Sequence, residues 1–157
     1  MHPRAVAFSE RAEERGVDVD VQEFPEGTKT AADAAEAVGC DVAQIASSIA
    51  LVADELVVVV TSGANRVSEE RLADLRGVDP GQVRMADADE VKDTLGWAIG
   101  GVPPFCHDTD APVYVDETLR QFETVWAAAG TPQAVFPVDP KQIRTLSGAT
   151  TAAVAEE

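Results

Sequence analysis

The sequence predicts an α+β fold, a mixed β-sheet flanked by helices, in one domain over residues 1–157. Three observations lead there. Strand-like runs and capped helical segments interleave without the strict βαβ alternation of a doubly wound sheet. The run Leu56–Val60 is continuously apolar, as a strand buried on both faces would be. A chain of 157 residues with 45% hydrophobic content fits a single core, and aromatics at only 5% mean that Ala, Val, Leu and Ile fill it.

The elements follow in order. Residues 3–15 carry Val6, Phe8 and Ala12 among charges and stop at Gly16, which predicts an opening helix. Val17, Val19 and Val21 alternate with polar residues and read as a half-buried strand. Thr30 caps a short Ala-rich helix ending at Gly39, and a helical turn over residues 41–46 follows. Residues 47–53 and 56–61 read as two strands in a hairpin turned at Asp54-Glu55. Ser68 caps a helix that stops at Gly77, residues 83–86 make a short strand, and Asp87 caps a helix ending at Gly96. Beyond lie a strand at 112–115, a helical turn at 117–120 and strands at 124–128 and 133–138. A last helix starts at Asp139 with Pro140 in its first position and ends at Gly148. The Ala/Glu-rich C-terminus reads as frayed.

Charge bounds the function. Twenty-eight acidic residues against twelve basic ones give a formal net charge of −16, and only Lys29, Lys92 and Lys141 are lysines. Dispersed carboxylates repel one another in dilute salt, whereas at about 1 M salt the Debye length falls to about 3 Å and screens them. A halophilic, salt-rich cytoplasm is the expectation. The balance disfavours DNA as a partner, but a local cation cluster suffices to contact one strand end, so RNA stays open. No apolar run approaches the ~18 residues of a membrane span and the amphipathic, charged N-terminal residues hold no signal-peptide core, so a cytoplasmic protein without a membrane partner is expected. Cys40 and Cys106 stand in no metal-ligand spacing; no metal and no cofactor are expected. Monomer and weak homodimer are both open.

Conventional catalytic patterns are missing. The chain has two histidines, His2 and His107, no nucleophilic triad pattern, and neither phosphate-loop motif. His107 follows a Pro-Pro loop and reads either as a site residue or as a surface histidine. The loop itself, LGWAIGGVPPF over residues 95–105, is the most distinctive segment. Gly100 and Gly101 let a ligand approach the main chain, and Pro103 and Pro104 fix the exit path. Read alone it is either a tight turn or a wall of backbone amides; amides aimed at a carbonyl oxygen would stabilise an oxyanion by about 3 kcal/mol per donor. Small polar residues at strand ends, Thr30, Ser47, Ser48, Ser62 and Asn65, with Gly63 beside them, complete a set suited to binding.

The segments TAADAAEAVGCDVAQIASSIALVAD, VVVVTSGANRVSEERL, VRMADADEVKDTLGWAIGGVPPF, VYVDETLRQFETVWAAAGTPQAVF and DPKQIRTLSG, in this order, resemble the YbaK family, the domain also associated with prolyl-tRNA synthetase. The resemblance implies a partly barrel-like mixed sheet and a deacylase that hydrolyses the ester of mischarged aminoacyl-tRNA, with the tRNA 3′ end as partner. It implies a mechanism without a strong side-chain base, in which a terminal ribose hydroxyl helps to activate water. Carried over by position, Gly100, Gly101, Val102 and Pro103 form the loop that holds the aminoacyl group, with Ser48 and Ser62 lining the pocket. The small-residue character points to a small aminoacyl group, alanyl or cysteinyl, on proline tRNA. One position departs from the pattern: Ser47 stands where catalytic members carry a lysine, and a neutral hydroxyl does not replace an ammonium. Either another cation, Lys29 or Arg66, reaches that space, or the domain is a non-catalytic aminoacyl-binding or regulatory module.

Overall fold

The computed structural model describes residues 1–24 and 30–156. One mixed sheet runs in the order β1-β7-β6-β2-β3-β5-β8, with β4 joined to β2. Its strands are β1 (Gln22–Glu23), β2 (Ile45–Ala53), β3 (Glu55–Ser62), β4 (Arg84–Met85), β5 (Val113–Asp116), β6 (Val125–Ala128), β7 (Ala134–Val138) and β8 (Thr150–Ala152). Helices α1 (Pro3–Glu14), α2 (Ala31–Val38), α3 (Glu69–Arg76), α4 (Ala88–Leu95) and α5 (Pro140–Ser147) flank it. The expected mixed sheet with flanking helices is therefore present.

Local chemistry places most of these elements. The Thr30, Ser68 and Asp87 side chains accept from Asp33 N, Arg71 N and Glu90 N, satisfying amides that open α2, α3 and α4. Asp139 does the same for Lys141 N ahead of Pro140. In the central hairpin Ala46 pairs with Ser62 and Ala53 with Glu55, so β3 begins one residue earlier than expected and the reversal turns on Asp54. Strand alternation divides the valines of β3: Val58 and Val60 join the main core, and Val57 and Val59 a second core with Leu51, Leu72 and Tyr114. All four valines are fully buried, as the apolar run implied.

Three expectations are corrected. Val17, Val19 and Val21 form no strand; the ladder begins only at Gln22, opposite Val135. Val17 is buried and the other two are half-buried against the core, a pattern that an extended segment without a pairing partner also satisfies. Residues 41–46 are not one helical turn. A 3₁₀ turn spans Val42–Gln44, closed by reciprocal bonds between Asp41 and Gln44, while Ile45 and Ala46 already pair with Trp126 and Ala127 of β6. The C-terminal stretch is ordered: β8 pairs in parallel with β5, Val154 is fully buried in the second core, and Ala155 bridges Val67. The open edge of β5 recruits a segment whose composition alone suggested fraying.

Candidate functional site

A break in the sheet makes the site. Strand β2 pairs along one edge with β3, but its other edge is shared: Ile45–Ala46 meet β6, and Leu51–Val52 meet β4. Among the described residues no strand pairs with Ser47–Ala50 on that edge. A cavity of about 280 Å³ occupies the gap. Its walls come from β2 itself, from Trp126–Ala128 of β6, from α2 through Ala31 and Ala34, and from the loop after α4 through Ile99, Gly100 and Val102.

The two faces of β2 serve different spaces. Ser48 alternates with Ala46 and Ala50 and faces the main core side, where its hydroxyl is buried without a hydrogen-bond partner among the described residues. An unpaired buried hydroxyl costs about 1–3 kcal/mol. Ser47 lies on the opposite face with Ile49 and Leu51, and these line a larger open groove of about 980 Å³. The groove is bordered by Ser62, Gly63, Asn65, Arg66 and Arg71, and by Glu69, Glu70 and Glu156. Ala31, Ser47, Ile49 and Met85 line both spaces, so the cavity and the groove adjoin. A side chain at position 47 points toward the groove, where Arg66 stands exposed; Lys29 lies outside the described residues.

The loop after α4 is built as a stiff block. Asp108 N donates to Leu95 O at 3.0 Å to close it, and Trp97 Nε1 donates to Cys106 O at 2.9 Å across it. His107 Nε2 lies 2.8 Å from Pro103 O; a carbonyl can only accept, which fixes that nitrogen as the donor. Burial, helped by the Arg11 and Arg15 charges, holds the His107 pKa below the usual imidazole value. Behind the loop Phe8, Trp97, Phe105 and Phe136 form one aromatic cluster with centroids 4.9 to 6.1 Å apart. Arg4 and Arg11 lie over the Trp97 ring, and Arg11 pairs with Asp108 at 2.8 Å.

This block does not present all the groups the sequence suggested. Gly101 N donates to Ala98 O at 2.9 Å, so its amide is used within the turn and is not aimed at the cavity. Gly100 is exposed with φ +85° and lines the cavity together with Val102. Gly101, Pro103 and Pro104 are buried behind that wall, and His107 braces the loop from within. Gly101 is a glycine for space: a Cβ there would lie 2.7 Å from Thr131 Cα. Thr30, Ser47, Ser48, Gly100 and Val102 thus gather at the cavity, whereas Ser62, Gly63 and Asn65 belong to the groove.

The groove's turn is held by a residue the sequence reasoning missed. Asp116, fully buried, accepts from Thr61 Oγ1, Ser62 N and Asn65 Nδ2 at 3.2, 3.1 and 2.9 Å, and its other oxygen accepts from Thr118 N at 3.0 Å. Burial alone would raise its pKa; the hydrogen bonds from Asn65, Thr118 N and Ser62 N outweigh that and leave it below the usual carboxylate value. Among 28 acidic residues nothing distinguished it, except its position ending an apolar strand run.

Comparison with known proteins agrees with this architecture. The model of the aminoacyl-tRNA editing domain family matches residues 25–146. The uncharacterised protein YwhH of Bacillus subtilis (strain 168) is 31% identical over 130 residues, covering 82% of this chain and 81% of YwhH. A crystal structure of a candidate trans-editing enzyme for prolyl-tRNA synthetase superposes with a TM-score of 0.93 at 39% identity, over 100% of this chain and 99% of that one. The hypothetical protein APE2540 superposes with a TM-score of 0.84 at 27% identity, over 97% and 99% of the two chains.

Proposed function

Because this chain belongs to the aminoacyl-tRNA editing domain family, we propose that it acts in trans as a deacylase, hydrolysing the ester of a tRNA mischarged with a small amino acid. The observation that carries this reading is the pairing of a small cavity with a polar groove along one strand. The aminoacyl group enters the cavity; the 3′ end of the tRNA lies in the groove, toward Arg66 and Arg71. Water attacks the ester carbonyl carbon, the bond to the ribose oxygen breaks, and that oxygen takes the proton. Amino acid and a tRNA with a free terminal hydroxyl result.

The cavity lining supports both parts of the proposal. It contains no titratable side chain among the described residues, only Thr30, Ser47 and Ser48 as side-chain hydroxyls, so a protein general base is not at hand. A ribose hydroxyl of the substrate fills that role, with Ser48 and the Gly100 amide orienting the acyl group. Seven alanines with Ile45, Val91, Val102 and Val135 suit a small neutral side chain. A charged amino-acid side chain would be buried there unpaired, at a cost of several kcal/mol. Alanyl and cysteinyl groups on proline tRNA are the proposed substrates, in a salt-rich cytoplasm.

A second reading rests on Ser47. Without the ammonium found there in catalytic relatives, the same pocket would hold an aminoacyl group without cleaving it. A deacylation assay in molar KCl with Ala- and Cys-charged proline tRNA separates the two. Turnover above buffer in the native chain, raised further by Ser47→Lys, is the expected result. Turnover found only in Ser47→Lys assigns the native chain to the binding reading, and none in either refutes the deacylase.

A further inference from the structure

A third hollow lies away from the cavity. It measures about 190 Å³ and is lined by Arg120, Lys141 and Arg144 over a floor that includes Val115 and Phe122. Three of the chain's twelve basic residues thus meet at one place in a protein with 28 carboxylates. Lys141 and Arg144 stand three residues apart on α5 and so share a face; Arg120 comes from the turn after β5. Three other arginines are ion-paired: Arg11 with Asp108, Arg76 with Glu55, Arg84 with Glu90. Among the described residues no carboxylate comes within ion-pair distance of these three side chains. The one acid lining the hollow, Asp139, has an oxygen engaged with Lys141 N at 2.8 Å as the helix cap.

In a chain of net charge −16 these three exposed cations make a local positive patch, to which an anion such as phosphate is drawn. The hollow and the groove are both attached to the turn after β5. Asn65 at the groove donates to Thr118 Oγ1 at 3.0 Å, and Arg120 follows Thr118 by two residues on the same turn. Glu117 is the acid on that turn.

We propose that Arg120, Lys141 and Arg144 form a phosphate site that takes a backbone phosphate of the RNA whose 3′ end the groove receives. The assignment rests on the reading of the groove as an RNA 3′-end site. Its chemistry is that of any phosphate, so free phosphate is the competing source. Each backbone phosphate neutralised contributes about 0.9 to the slope of log affinity against log salt on a duplex.

The test measures binding of uncharged proline tRNA, and of a short single strand ending in CCA, over a KCl series in which circular dichroism confirms the fold. The triple replacement Arg120→Gln, Lys141→Gln, Arg144→Gln is expected to lower the tRNA slope by about 0.9 and to leave the CCA strand unchanged. Lys141→Gln alone, on the exposed face of α5, moves the slope the same way by a smaller step and guards against misfolding of the triple variant. An unchanged tRNA slope overturns the proposal, as does an equal loss for both ligands. ³¹P line broadening of inorganic phosphate that the triple variant abolishes, with the tRNA slope unmoved, assigns the hollow to free phosphate and overturns the RNA assignment. Deacylation with no slope change refutes this site alone; the expected slope change without deacylation refutes the hydrolase reading alone.

Discussion

Replacing Gly101 by alanine tests how the loop wall is held. A Cβ built there lies 2.7 Å from Thr131 Cα and 2.9 Å from both Thr131 C and N. Ordinary contact begins near 3.4 Å, so the two backbones must separate by about 0.7 Å, the difference between 3.4 and 2.7 Å. All three atoms are main chain, so no rotamer change relieves the contact. The Thr131 side is also anchored, because Ala134 N donates to Thr131 O at 3.2 Å. The loop therefore moves, carrying Gly100 and Val102 with it. Overpacking of this kind costs about 1–3 kcal/mol, which at this size lowers Tm by roughly 3–10 °C. A shift approaching 1 Å in a positioning element costs up to about 10²-fold in rate. The assay pairs thermal unfolding with single-turnover deacylation, using Gly81→Ala, where nothing lies within 4 Å, as control. Gly100→Ala separates strain from shape: φ is +85° but the nearest atom, Pro132 Cγ, is at an ordinary 3.6 Å. A Gly101→Ala protein that melts and deacylates like the control refutes the idea that close approach to Thr131 sets the wall.

Further outcomes follow from single groups. Ser48→Ala removes a buried hydroxyl without a partner, so stability holds or rises by up to about 1 kcal/mol while kcat/KM falls roughly 2- to 10-fold, the worth of one neutral hydrogen bond; a melt and a rate measurement showing lost stability with full activity would contradict the assignment. Asp116→Asn keeps one acceptor oxygen but sets an NH2 donor either against Thr61 Oγ1, Ser62 N and Asn65 Nδ2 or against Thr118 N, costing about 1–3 kcal/mol at neutral pH. Because the folded pKa of Asp116 lies below the usual carboxylate value, its contribution is present above that value and is lost as pH falls through the folded one. Melts of the two proteins should therefore converge toward acid pH, and a constant gap would show that ionisation is irrelevant. With a net charge of −16, Tm should rise by about 5 °C or more on passing from dilute to molar KCl; a flat series removes the halophilic reading.

Local signals made much of the fold legible. Caps at Thr30, Ser68, Asp87 and Asp139 and stops at Gly39, Gly77, Gly96 and Gly148 mark four helices because the orphan groups at helix ends demand specific side chains. The alternation at Val17, Val19 and Val21 misled, since burial periodicity reports a face and not a pairing partner. Strand β8 was hidden because its pairing depends on an edge supplied by distant residues. At the site, the residues that gather were visible as small hydroxyls and glycines, but their sorting was not. That Ser48 serves the cavity alone while Ser47 also reaches the groove follows from strand alternation together with a gap between β6 and β4, and only the pairing reveals the gap. Whether a loop amide is used in its own turn, as at Gly101, is likewise a property of the closed backbone.

Helix α1 and strand β8 both lie outside residues 25–146, the span shared with the editing family. Yet Phe8 stands at the centre of the aromatic cluster backing the site loop, and Val154 completes the second core beside Leu72. A transplant of the matched span into another protein would leave Trp97 without the Phe8 ring and the two arginines that cover it. The span matched by the family model carries the cavity, while the flanks brace the loop behind it; boundaries for grafting should enclose residues 3–156.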